Sequence, residues 1–257
     1  MRWLCFLLLA SPAAAQARAA APAPPASPAP KALRFDLAAI PATRDSFVFF
    51  LKGAERGYAV WQYEIRQLET IQEILYTAHS EFRPVEEERL RVVLNRLTGE
   101  PIATFHHIDL FSPTSDTVMV EHDLEVKRRE IGGRRRVGTR SGAVKLTPVS
   151  RPLPPGTVLS DYSLFAAAVT NALPGDSLVA RAYSEFGDSL ATLSFVAEAP
   201  VTIEVPAGRF EVLPLTSGGF RVFTTRSGVR RVVKGETLDG VFSFQLAATG
   251  PVVPSPQ

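Results

Sequence analysis

The sequence predicts an all-β domain, mainly antiparallel, built as a strongly curved sheet or a β-barrel meander with one short helix. Three observations carry this. Apolar residues alternate with polar ones at period two through much of the 257-residue chain, the mark of strands with one buried face. Short turns, most of them glycine-bearing, separate these runs, as in a meander of hairpins. A flat sheet of so many strands would also leave long edges open, so the sheet has to curl or close.

The elements follow in chain order. Residues 46–51 (SFVFFL) form a short β-rich run, and Gly53 and Gly57 bracket the turn after it. In residues 58–66, Ala59, Trp61, Tyr63 and Ile65 share one face, with Gln62, Glu64 and Arg66 opposite. Residues 71–82 (IQEILYTAHSEF) read as a strand by their β-branched and aromatic content, although Ile71, Ile74, Leu75 and Ala78 also fit a helical spacing. The triplet Glu86–Glu88 reads as a solvated loop. Residues 89–97 place Leu90, Val92 and Leu94 on one face, TGEP at 98–101 turns the chain, and 102–111 return. Residues 117–127 alternate Val118, Val120, Leu124 and Val126 with Glu121, Asp123, Glu125 and Lys127. Gly132-Gly133 is expected to make the next hairpin turn, with 134–139 leading back.

Residues 160–173 (SDYSLFAAAVTNAL) break this rhythm. Ser160 or Asp161 serves as a helix cap, Leu164, Phe165, Ala168, Val169 and Ala172 recur at helical spacing, and Pro174-Gly175 stops the helix. Strands are then expected near 177–184, 189–197, 201–205, 210–216, 220–225, 229–234 and 241–246. Pro206-Ala207-Gly208 joins two of them as a tight hairpin, with Gly208 at positive φ.

The chain opens MRWLCFLLLASPAAAQA. Arg2 supplies a positive start, residues 3–10 an apolar stretch and Ala15-Gln16-Ala17 a small-x-small cleavage site, which predicts a cleavable signal peptide over 1–17. The stretch is far short of the roughly 20 residues that span a bilayer, and no transmembrane segment is expected in the mature chain. Residues 18–32 read as an Ala/Pro-rich spacer, 33–248 as a single β-rich domain, and 249–257 as a frayed tail. The implied location is periplasmic, with secretion as the alternative. Cys5 is the only cysteine, so processing would leave no disulfide, thiolate metal site or cysteine nucleophile. A net charge of +2 gives nucleic-acid binding no support.

Three stretches, LPPGTVLSDYSLFAAAVTNALPGDSL (153–178), VPAGRFEV (205–212) and GVRRVVKGE (228–236), together resemble the bacterial exported proteins grouped as domain of unknown function 3108. The resemblance covers the C-terminal half best. It implies an exported, β-rich envelope protein with no assigned reaction and no catalytic residues to carry over.

Catalytic signatures are missing. There is no G-x-S-x-G elbow and no Walker or dinucleotide fingerprint. His106 and His107 are neighbours on an expected strand and so face opposite ways. His107 and Asp109 share a face, and with His122 they are the one metal or acid–base combination that the spacing allows; with no HExxH-type spacing or cysteine beside them, no metal or cofactor is expected. The run KRREIGGRRR (127–136) makes Arg128, Arg134, Arg135 and Arg136 candidates for holding lipid headgroup phosphates; a solvated hairpin tip, partly balanced by Glu125 and Glu130, is the plainer reading. Trp61, Tyr63, His122, Phe165 and Phe210 are the candidate ligand-binding residues, because a large curled sheet can leave an apolar cavity. The expected function is non-catalytic binding of a lipid-like or apolar ligand. An envelope scaffold or assembly factor that binds another protein is the alternative, and a hydrolase ranks last.

Overall fold

The computed structural model describes residues 29–112 and 114–252. The signal peptide and most of the spacer expected from the sequence lie outside the described residues, as does the end of the tail. The first half of the chain forms β1 (Lys31–Ala32), β2 (Arg44–Leu51), β3 (Ala54–Leu68), β4 (Ile71–Phe82), β5 (Glu86–Asn95), β6 (Pro101–Leu110), β7 (Val118–Lys127), β8 (Glu130–Thr139) and β9 (Val144–Pro152). After β10 (Val158–Leu159) comes the helix α1 (Ser160–Ala166), which tightens into a 3-10 turn at Ala167–Val169. The chain then forms β11 (Ser177–Ser184), β12 (Ser189–Ala197), β13 (Val201–Val205), β14 (Gly208–Ser217), β15 (Phe220–Thr225), β16 (Val232–Thr237) and β17 (Phe242–Gly250).

All these strands belong to one sheet in the order β1-β10-β11-β12-β13-β14-β15-β16-β17-β2-β3-β4-β5-β6-β7-β8-β9. The ladder is antiparallel except where β1 and β10 run parallel to β11. It does not close. β9 forms one end and the short β1 and β10 the other. Side chains reach across instead: Arg151 on β9 meets Asp188 in the β11–β12 turn at 3.2 Å. The topology explains how one chain builds both walls. The chain winds from β2 out to β9, crosses to the far end through β10 and α1, and winds back until β17 pairs with β2.

Alternation sets the inner face. Phe47 and Phe49 on β2, Ala59, Trp61 and Tyr63 on β3, Val92 and Leu94 on β5, and Phe242, Phe244 and Leu246 on β17 are all buried in one continuous core. α1 lies on this face as a plug. Phe165 stacks on Tyr76 with ring centroids 3.9 Å apart, and Tyr162 packs edge-on against Phe35. The helix is shorter than its apolar spacing predicts. The backbone of Val169 and Asn171 bonds to Asp36 and Arg34, and Thr170 bridges Phe35, so the chain leaves helical geometry to extend the wall.

Several turns and strands depart from expectation for visible reasons. The β7–β8 turn is Arg128-Arg129, both at positive φ (51° and 63°), and not Gly132-Gly133. Those glycines lie inside β8, where a Cβ on Gly133 would sit 2.1 Å from the carbonyl oxygen of Asp123. Gly57 likewise lies within β3. Glu86–Glu88 opens β5, with Glu86 wholly inside. β9 carries no alternation because it is an exposed edge, and it holds Pro148, as edge strands tolerate. The β13–β14 loop is two residues, Pro206 and Ala207, and Gly208 (φ 129°) opens β14 opposite Val205. β16 begins later than predicted because Thr225 Oγ1 donates to the carbonyl of Val229 and accepts from the N–H of Arg231, holding 226–231 as a loop. Lys31 and Ala32, read from sequence as spacer, pair with β11.

Close strand approach at Gly57 gives a test. A Cβ there would meet the Glu81 carbonyl oxygen at 1.8 Å, whereas one at Gly219 meets nothing within 4 Å. Gly57→Ala is expected to destabilise by about 1–3 kcal/mol, the usual cost of overpacking. Gly219→Ala should leave the urea midpoint nearly unchanged.

Candidate functional site

The curled sheet and its plug surround a partly open cavity of about 170 Å³. Trp61, Tyr76, Phe195, Leu215 and Phe244 form its greasy lining, while Glu88, His106 and Asp161 stand at one wall. This wall is built by register. His106 on β6 lies directly opposite His122 on β7, so both rings project from the same face, and Asp161 in the first turn of α1 reaches them. Its carboxylate lies 2.7 Å from His122 Nε2 and 3.0 Å from His106 Nδ1, and accepts from the Thr104 hydroxyl. The other ring nitrogen of His106, Nε2, lies 2.6 Å from Glu88 Oε1, and Ser80 donates to the second Glu88 oxygen at 3.1 Å. Phe186 covers both imidazoles, 4.8 Å from each ring.

Asp161 can point at the histidines because it is not needed as a cap. Glu185, wholly buried in the β11–β12 connection, takes that role. Its carboxylate accepts from the backbone N–H of Ser160 at 3.2 Å and of Asp161 at 3.3 Å, and from the Ser160 hydroxyl. The expected side-chain cap at Ser160 or Asp161 is therefore absent; Leu159 occupies the cap position.

Electrostatics divides these acids. Burial opposes charge on His106, but Asp161 and Glu88 on either side outweigh it and push its pKa up to about 10. Burial also disfavours the charged form of Asp161, yet His122 and His106 hold its carboxyl well below the usual range. Burial and the charge of Asp161 push Glu185 well up. Glu86 rises to about 8, from burial first and then the charge of Glu88. One of its carboxylate oxygens has no partner among the described residues.

The candidate residues distribute as follows. Trp61 lines the cavity. Tyr63 and Phe165 pack against Tyr76 behind it. His122 is wholly buried beside Asp161. Phe210, half-buried opposite Ile203 at the β13–β14 hairpin, does not line the cavity. The combination of His107, Asp109 and His122 does not assemble. His107 and Asp109 point outward, and His107 Nδ1 meets Glu121 at 3.1 Å. His106, outside the combination expected from the sequence, is the histidine that β6 turns inward, on the face of Thr104 and Ile108. The basic run does not form one patch. Arg128 sits in the turn, and Arg134 and Arg136 face outward beside Asp123 (3.9 Å) and Glu121 (3.2 Å). Arg135 shares the face of His122, its register partner.

No family model and no curated protein matches this chain. The fold is similar to the crystal structure of a β-barrel-like protein of domain of unknown function DUF1849 from Brucella abortus, with a TM-score of 0.50 and 10% sequence identity over 83% of this chain and 99% of that one. The likeness is one of fold, and to a group other than domain of unknown function 3108.

Glu86 provides a pH test. Its pKa is raised in the folded chain from 4.5 to about 8, so the folded state holds the proton more tightly than the unfolded state. Its contribution to stability is best below pH 4.5 and declines as pH rises to about 8. Glu86→Gln is expected to remove that decline. In urea titrations the variant should gain on the wild type steadily between pH 5 and pH 8; parallel curves would contradict the assignment.

Proposed function

We propose that this is an exported cell-envelope protein, periplasmic or secreted, that binds a small apolar or amphipathic molecule inside its barrel-like sheet without transforming it. The observation that carries the reading is the partly open cavity, walled mainly by aromatic and aliphatic side chains, with scattered serine and threonine hydroxyls and its ionisable groups gathered at one side. That combination suits a guest with a greasy body and one polar end. The size narrows the guest. An apolar cavity of about 150 Å³ accepts benzene, so about 170 Å³ suits one ring or a short hydrocarbon segment. A lipid would place only part of an acyl chain there. Export is supported by the amphiphilic opening of the sequence, and the resemblance to domain of unknown function 3108 belongs to the same reading.

An envelope scaffold or assembly factor is the second reading. It is favoured by β9, an open sheet edge with Val144 and Leu146 exposed, where a partner strand could add.

Calorimetric titration of the purified protein with indole separates the two. The first reading expects saturable one-site binding that Ala182→Phe, which fills the cavity, abolishes while circular dichroism stays unchanged. No binding to the wild type, or binding that survives the filled cavity, would remove the guest and leave the scaffold.

A further inference from the structure

We propose that His106, His122 and Asp161 bind one divalent transition-metal ion of the zinc type, with Glu88 orienting His106. The site forms the polar wall of the same cavity, but it does not require that an apolar guest bind there.

The donors come from three elements that the fold brings to one point: β6, β7 and the start of α1. One ligand atom from each, two imidazole nitrogens and a carboxylate oxygen, lie within 4.8 Å of one another. This mixed nitrogen–oxygen set suits zinc and its first-row neighbours. Magnesium and calcium take oxygen-rich shells. The side chains are already held. Glu88 meets the far nitrogen of His106 at 2.6 Å and is itself fixed by Ser80, the carboxylate–histidine arrangement that sets the tautomer of a metal-binding imidazole. The Thr104 hydroxyl fixes Asp161 in the same way.

Proton counting gives the second reason. Both nitrogens of His106 face carboxylate oxygens, and a neutral imidazole carries only one N–H. One of the two contacts therefore calls for a further positive charge, either a second ring proton or a metal ion. With Nε2–H donating to Glu88, the Nδ1 lone pair faces Asp161, where a metal ion joins two groups that otherwise repel. His122 fits the same scheme. Its Nδ1 has no partner among the described residues and can hold the proton, leaving Nε2 to face Asp161. With neutral imidazoles, two negative charges stand at this wall, Asp161 buried and Glu88 partly buried. A divalent ion cancels both, whereas a proton on His106 cancels one. Phe186 seals one side, and the cavity that Asp161 and His106 line leaves an open coordination position.

The test uses the full chain purified without an oligohistidine tag, loaded with zinc or cobalt(II) and desalted. Mass spectrometric metal analysis is expected to find one ion per folded chain. X-ray absorption at the zinc edge should show two imidazoles in the first shell. His122→Gln and Asp161→Asn should lose the ion, and His107→Ala, on the outer face, should keep it. Absence of stoichiometric metal in the folded wild type, or a first shell without two imidazoles, overturns the site. Retention by both His122→Gln and Asp161→Asn overturns it equally. The absorption measurement on the wild type decides the matter even if those variants fail to fold.

Discussion

The carboxylate of Asp161 joins the plug to the wall. A sheet that curls without closing its ladder has an apolar inner face that something must cover, and α1 covers it. Apolar contact alone would let so short a helix slide. Asp161 fixes its position by reaching two histidines that β6 and β7 place side by side. Removing one member of such a buried ionic cluster typically costs about 3–5 kcal/mol, because the remaining charge is stranded. Glu185 completes the anchor from the other direction, taking the first N–H groups of the helix so that Asp161 is free to turn inward.

The interior is thus two environments in one cavity. Phe47 and Trp61 pack edge to face against Phe244, and Tyr76 meets Trp61 edge-on while stacking on Phe165; the acids and imidazoles gather where β5, β6 and β7 meet α1. The protein meets the cost of desolvating those acids unevenly. Glu88 and Asp161 are paired with imidazoles, whereas burial keeps Glu86 and Glu185 nearer their neutral forms. Such an uneven distribution is what gives an otherwise greasy cavity a chemically distinct end.

Much of the fold was legible in the chain, because period two is visible wherever one face is buried. Residues 71–82 could be read as strand against a competing helical spacing, and β4 spans those same residues. The failures have equally local causes. β9 lies on an edge where only Val149 is buried, so it leaves little alternation to read. Gly132-Gly133 resembles a turn, yet its glycines serve close strand approach, and two arginines adopt the left-handed turn instead. Glu86–Glu88 looks solvated because three acids in a row seldom enter a core, and nothing local announces the imidazole waiting for Glu88. The site was legible only in part. His122 was recognisable from its apolar neighbours, but its pairing with His106 depends on a register that the long β6–β7 connection does not specify. Asp161 looked like a cap because the residue that replaces it, Glu185, is distant in sequence.

The central claim is a mainly apolar cavity at the heart of the curled sheet. Diffraction from crystals of the protein pressurised with xenon measures it directly, since xenon occupies apolar cavities of this size. The account requires xenon density between Trp61, Phe195 and Leu215. A position filled by protein side chains, or by ordered water with no xenon entering, would contradict it.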